Sequence, residues 1–295
     1  MQRPQRVEDV ASLVREGRRL RIRGAGTWMH AGHAVPDATE LHLDAFTGIR
    51  EYTPGDLTIS VGAATTLAEL DAVTRAQGQW CPLFPWGDDA GSVGATIATA
   101  TSGPFAASLG RPRDLLLGLE CVDGRGRIVR AGGRVVKNVA GFDLTRLMTG
   151  SWGTLAVITE LHLRLRARPA LLRTFYIEGA AQELRGVLRG PQAILAAQPL
   201  SSGALRALGR IADPLGEAWL VCIGGNAAQV AAAEQALRGA ARIDEMPDDV
   251  WRIVRREMAA ESPAQRWPWT ALQRRVKSLF DPQNLLNPGL LGDDA

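Results

Sequence analysis

Four histidines, two lysines and three cysteines are the first residues to weigh in this sequence, because they can move protons, place a compact charge or ligate a metal. His30 and His33 form a His-x-x-His pair in a glycine-rich segment. That spacing holds zinc only when a third ligand arrives, so a polar loop and no metal site are expected. His42 and His162 are flanked by leucines in strand-like stretches and are expected to face outward from a sheet. Cys81, Cys121 and Cys222 lie far apart, with no Cys-x-x-Cys or Cys-x-x-His spacing. Zinc and iron–sulfur clusters are therefore not expected, and free thiols suit a reducing compartment. Lys137 is the one cation singled out: Arg is strongly preferred in this chain, and Lys137 borders a glycine-flanked turn. A compact charge kept for chemistry and an ordinary surface lysine both remain open there. Arg111 and Arg113 are weaker candidates for pairing with phosphate or carboxylate.

Anion chemistry has a second source in the backbone. The run Arg23-Gly24-Ala25-Gly26-Thr27-Trp28 follows a short alternating stretch. A glycine turn after a strand lets successive N–H groups converge on an anion and lets a phosphate approach closely. It departs from Gly-x-Gly-x-x-Gly at Met29, so a phosphate loop and a purely structural turn both stand. Residues 91–103 (Gly-Ser-Val-Gly-Ala-Thr-Ile-Ala-Thr-Ala-Thr-Ser-Gly) fill a core poorly. They suit either a backbone laid against a large flat ligand or a tightly packed helix start. A third segment, Lys137 to Leu144 followed by Gly150 to Glu160, joins a tight turn to a strongly apolar strand.

Several elements must position these segments. Apolar spacing predicts a helix over 5–17 and another over 67–77. Strands are predicted at 20–23, 39–43, 57–61, 115–123, 127–131 and 154–165. Arg168-Pro169 marks a change of rhythm. Beyond it, strands are expected at 173–178, 203–210 and 217–223, with helices at 181–189 and 227–238. Ser262-Pro263 has the chemistry of a helix start for an element running to about 279. The tail carries Asp281-Pro282 and Asn287-Pro288-Gly289.

With 46% hydrophobic and 22% charged residues, the chain is ordinary globular material that can form a core without metal or disulfide staples. The net charge of +3 comes from scattered arginines, which argues against nucleic acid as a partner. No run approaches the length of a membrane span, and the N-terminal residues show no apolar secretory core. Trp80, Trp86, Trp267 and Trp269 read as core or interface anchors.

Taken together and in order, the glycine segments resemble the flavoproteins with a PCMH-type (vanillyl-alcohol-oxidase-like) FAD-binding domain. The resemblance runs from about 7 to 168 and includes the Asp-Pro…Asn-Pro-Gly tail. Lys137 to Met148 and Ser102-Gly103-Pro104 resemble the FAD-binding E subunit of the glycolate oxidase group. The resemblance implies an α+β fold: a two-subdomain FAD-binding domain over 1–168, a small ferredoxin-like α+β cap over 169–261, and a segment 262–295 returning to the FAD domain. It implies a pyrophosphate loop of Gly24, Ala25, Gly26, Thr27 and Trp28. A second FAD-contacting stretch would comprise Ser92, Gly94, Ala95, Thr99, Ser102 and Gly103, with Gly153, Val157 and Ile158 on the last strand. Thr27 stands where covalently linked relatives carry His, so FAD is expected to be non-covalent. No catalytic residue is identified; beside a bound flavin Lys137 could stabilise its reduced anionic form, and an ordinary surface lysine stays equally open. The cap is short and lacks the His-rich metal-binding motif of the catalytic relatives. The implied role is thus an FAD-bearing subunit in oxidation of a small 2-hydroxy acid, partnered by a catalytic flavin subunit and an iron–sulfur subunit. Its expected place is the cytoplasm, or the inner-membrane surface through those partners. A stand-alone oxidoreductase acting on another alcohol or hydroxy acid and a non-catalytic scaffold are the alternatives.

Overall fold

The computed structural model describes residues 1–133, 143–179, 186–187, 193–210, 217–261 and 269–292. Helix α1 (Val7–Arg15) opens the chain. Val10, Ala11 and Val14 recur on one face and are buried, while Asp9 accepts the backbone N–H groups of Gln5 and Arg6 at the helix start. Strand β1 (Leu20–Arg23) pairs in parallel with β2 (Thr39–His42), and the glycine-rich turn lies between them.

A five-stranded antiparallel sheet follows, in the order β3-β4-β8-β6-β7. Its strands are β3 (Ile49–Thr53), β4 (Thr58–Gly62), β6 (Leu116–Asp123), β7 (Ile128–Gly132) and β8 (Ala156–Arg164). Helices α2 (Leu67–Arg75) and α3 (Val93–Thr99) share a core with Ile59, Val61, Leu119, Leu161 and Leu163. Thr66 and Glu69 cap α2 reciprocally, and Ser92 caps α3. Val122 and Val157 point the other way and pack with α1, Leu20, Leu41 and Leu286. A two-stranded ribbon, β5 (Gln79–Trp80) with β9 (Arg166–Ala167), closes this half.

The remaining strands are β10 (Leu171–Gly179), β11 (Ile194–Pro199), β12 (Glu217–Gly225) and β13 (Arg242–Met246). They form an antiparallel sheet in the order β11-β12-β10-β13. Counted within this region the order is 2-3-1-4, that of a ferredoxin-like sheet. Helix Ala227–Ala240 covers one face through Val230, Ala233 and Leu237. The other face joins the first half, where Leu220 and Cys222 meet Trp80, Phe105, Trp251 and Val254.

Three local readings change. The strand expected at 203–210 is instead a helix, Ser202–Ala207, because Ser201 caps it by accepting the Ala204 N–H at 3.2 Å. Strand β11 precedes it, in an Ala-rich run that carries little strand signal. His42 does not face outward: its ring is buried and held 2.7 Å from Glu40 Oε2. The Ser262-Pro263 start, Trp267 and most of the helix expected at 181–189 lie outside the described residues. The last helix with a described start, Ala271–Phe280, begins at a capping box of Thr270 and Gln273.

Candidate cofactor cleft

Three chain segments that are far apart in sequence meet at one cleft of about 680 Å³: the turn after β1, the start of α3 and the entry to β8. The glycine positions show why side chains are absent there. A Cβ on Gly24 would strike Ser92 Oγ, and one on Gly94 would lie 2.6 Å from the Ala63 carbonyl oxygen. Gly26 and Gly153 take left-handed φ values of 83° and 67°. Backbone and Ser or Thr hydroxyls therefore form the walls.

Thr27 Oγ1 is buried and has no hydrogen-bond partner within the protein. Thr27 and Trp28 also border a second cleft, of about 1000 Å³, lined by His30, Trp86, Asp88 and Arg256. One elongated ligand with a polar middle can thus run from one cleft to the other past Thr27. Buried polar groups rarely go unpaired, so this hydroxyl marks a place where a ligand oxygen fits. Trp28 meets Trp152 edge-on at 5.8 Å and lies nearly parallel to His30 at 6.3 Å. These rings offer a flat apolar flank between the clefts.

The charge at the first cleft is positive. Arg21 and Arg23 both line it. Arg23 stands 3.6 Å from Glu40, whereas Arg21 donates only a long 3.4 Å bond to the Met29 carbonyl. Burial pulls the Arg21 pKa below its ordinary value, with Glu40 opposing. A guanidinium still keeps its proton under such conditions, so Arg21 presents a partly desolvated cation to the cleft.

The second cleft is shaped by loop 85–89. Buried Arg255 donates from Nε to the Pro85 carbonyl at 2.8 Å and from Nη2 to Asp89 at 2.5 Å. Arg256 faces Asp88 at 3.5 Å. Backbone bonds add support: the Trp86 N–H donates to the Ser102 carbonyl at 3.2 Å, the Gly87 N–H to the Arg255 carbonyl at 3.0 Å, and the Ala68 N–H to the Asp89 carbonyl at 3.0 Å.

Gly24, Gly26, Thr27, Trp28, Ser92, Gly94, Ala95, Thr99, Gly153 and Ile158 line the first cleft. Ala25 points to solvent between its glycine neighbours. Ser102 and Gly103 sit behind the Phe84–Trp86 wall, where a Cβ on Gly103 would strike the Phe84 carbonyl oxygen. Val157 is turned away, because strand side chains alternate and Ala156 and Ile158 take the cleft face of β8. Lys137 lies outside the described residues. Arg111 and Arg113 line neither cleft, and both lie beside Asp114. Sequence reasoning missed Arg21, Ala63, Trp152, Asn287 and Leu290. For Asn287 the available signal is the Asn-Pro-Gly tail, which in sequence marks only a segment returning to the FAD domain. Among the described residues no group of His, Cys, Asp or Glu is arranged to hold a metal.

Residues 2–132 match the family model described as FAD binding domain. Glycolate oxidase subunit GlcE of Escherichia coli is 34% identical over 184 residues, which span 60% of this chain and 52% of that protein. A D-lactate dehydrogenase of Archaeoglobus fulgidus is 34% identical over 168 residues, 55% of this chain and 38% of that protein. This chain thus spans about half or less of the length of these relatives. Among solved structures, an alkyldihydroxyacetonephosphate synthase superposes with a TM-score of 0.70 at 15% identity, over 87% of this chain and 55% of that one. Residues 2–132 thus match an FAD binding domain, the fold of the chain is α+β, and its cofactor is FAD.

Proposed function

We propose that this chain is the FAD-binding subunit of a glycolate oxidase or dehydrogenase-type complex that oxidises a small 2-hydroxy acid, such as glycolate to glyoxylate. The observation that carries it is the glycine-walled cleft opening past the unpartnered Thr27 hydroxyl into a second cleft. Gly24, Gly26, Ser92 and Gly94 would hold the diphosphate region, with Arg21 as its counter-charge. Trp28 and Trp152 would flank a ring. When bound, FAD supplies a hydride acceptor and a store of two electrons. Thr27 has a weakly nucleophilic hydroxyl where linked relatives carry His, so the cofactor is held without a covalent bond.

The subunit role is favoured by the second cleft. A 2-hydroxy acid needs a cation free to take its carboxylate, and Arg256 is already turned to Asp88 while Arg255 is turned to Asp89. Partner subunits, a catalytic flavoprotein and an iron–sulfur protein, would complete the reaction. The complex would sit in the cytoplasm or at the inner-membrane surface through them. Among the described residues no helix is long and apolar enough to cross a membrane.

A second reading, a stand-alone oxidoreductase, is favoured by exposed His30 at the second cleft, where it could act as a base. Anaerobic addition of glycolate or D-lactate to the flavin-loaded chain separates the two. Flavin absorbance that bleaches only after the partner subunits are added supports the subunit role. Bleaching of the chain alone establishes the stand-alone role. Acid precipitation of the loaded protein should leave all of its flavin in the supernatant.

A further inference from the structure

The C-terminal tail does more than cross the surface. Leu20 N–H donates to the Leu285 carbonyl at 2.7 Å, and Asn287 N–H donates to the Leu20 carbonyl at 2.8 Å. The tail therefore runs alongside β1, the strand that delivers the glycine turn. The Asn287 side chain is 3% exposed and bridges two cleft walls. Its Oδ1 accepts the Ile22 N–H at 2.8 Å, and its Nδ2 donates to the Trp152 carbonyl at 2.8 Å.

The Trp152 end of this bridge is unusual. Trp152 holds a left-handed backbone at φ 55°, next to Gly153 at φ 67°. A bulky non-glycine residue adopts that conformation only where its surroundings enforce it. A Cβ on Gly153 would lie 2.8 Å from Asn287 Nδ2 and 3.2 Å from Ile22 Cδ1. The amide, the missing side chain and the left-handed tryptophan thus form one fitted unit. Only an amide offers a donor and an acceptor on a single short plane. Aspartate has no donor for the Trp152 carbonyl.

The unit is anchored by a buried ion pair. Lys277 Nζ donates to Asp281 at 2.6 Å, to the Thr154 carbonyl at 2.8 Å and to the Leu286 carbonyl at 3.0 Å. Asp281 in turn accepts the N–H groups of Leu285 and Leu286. Lys277 and Asp281 are 5% and 2% exposed. The residues immediately before Asn287 and immediately after Gly153 are therefore fixed to one another.

We propose that Asn287 is a cofactor-positioning residue: it sets the distance between the glycine turn and the Trp152–Gly153 corner, so that FAD binding and docking of segment 281–290 are coupled. This rests on the cofactor cleft described above. Coupling of this kind is reciprocal: FAD should hold the tail, and a loosened tail should release FAD.

The test uses the full chain with FAD as the probe. Titration of Asn287→Ala and Asn287→Asp, well below their melting temperatures, is expected to show FAD Kd raised about tenfold or more, the scale of one or two lost buried hydrogen bonds. At saturating FAD the visible circular dichroism of the bound flavin should also differ from that of the unsubstituted protein. A merely structural residue would lower the melting temperature and leave both readouts alone. Hydrogen exchange on the unsubstituted chain needs no variant: FAD should slow exchange at Ile22 and Leu286. Unchanged Kd and dichroism in both variants, or unchanged exchange at those amides in a protein that binds FAD, overturns the proposal. A chain that binds no FAD at all overturns the cofactor reading first, and this inference with it.

Discussion

The candidate cofactor cleft and the sheet β11-β12-β10-β13, which we propose as the cap, use the side chain in opposite ways. At the cleft, function depends on atoms that are missing: a Cβ on Gly24 or Gly94 would strike the opposing wall, and one on Gly153 would crowd Asn287. In the cap, Phe175, Ile177, Val221 and Ile223 fill one face of the sheet against helix Ala227–Ala240. Substitution in the first region should therefore act on ligand affinity, and in the second on stability. The tail segment around Lys277 belongs to neither kind, since it holds the cleft by means of a buried charge pair.

Lys277 should give the largest effect and is the one place where the two kinds of damage coincide. Lys277→Met leaves Asp281 buried without its cation. Breaking a buried pair in this way costs about 3–5 kcal/mol. Urea denaturation should show that loss, and flavin content after purification should fall with it. A variant of ordinary stability that retains FAD would break the claim that the tail is part of the cleft.

Phe175→Ala sharpens the cap side of the comparison. The ring is fully buried, and its removal should cost about 3–4 kcal/mol. FAD Kd should not move at temperatures where the variant is folded. A weakened Kd would show that the cap sheet shapes the cleft after all.

Gly94→Val is the counterpart. Its Cβ would meet the Ala63 carbonyl oxygen at 2.6 Å and the Ala63 Cβ at 2.8 Å. Overpacking of this kind costs about 1–3 kcal/mol, less than the cap substitution. The loss of FAD affinity should nevertheless be the greater, because α3 and Ala63 move into the cleft. Equal affinity for FAD would remove Gly94 from the site.

Much of the cleft was legible in the sequence because its signal is local. Gly24, Gly26 and Gly94 stand in runs too poor in side chains to build a core, and β1 appears where the Leu-Arg-Ile-Arg alternation puts it. The parts that escaped notice are not local. Asn287 bonds Ile22 across 265 positions, and no window along the chain contains both. Val157 was included with its neighbours, although the pleat of β8 turns it to the α1 core. The sequence over 203–210 suggests a strand, whereas the Ser201 cap makes Ser202–Ala207 a helix.

A finer separation comes from Arg21. If its role is to neutralise a diphosphate, Arg21→Gln should weaken FAD by about tenfold, near 1.4 kcal/mol. It should leave riboflavin, which lacks phosphate, unaffected. The loss should shrink as salt rises, because a partly exposed charge is screened. Equal losses for FAD and riboflavin would make Arg21 a packing residue of the turn.

The smallest effect is one of pH, and it divides by region. Burial pushes the thiols of Cys81, Cys121 and Cys222 up to about 12 from an ordinary 9.0. Well below pH 9 folded and unfolded chains both keep these protons, so the thiols leave stability unchanged. As pH rises past 9 the unfolded chain releases protons that the fold retains, and stability falls toward pH 12. Between pH 8 and 9 the loss is only a fraction of a kcal/mol per thiol. The same burial keeps all three thiols unreactive at pH 8 until the structure opens. Cys121 lies in the core under the cleft and Cys222 in the cap interface. Alkylation followed by peptide mapping therefore times the opening of each region separately. FAD should slow labelling of Cys121 by the factor its binding energy sets, while Cys222 changes less. Equal protection of both would mean that the two regions open as one unit, and that the contrast between them is one of construction and not of stability.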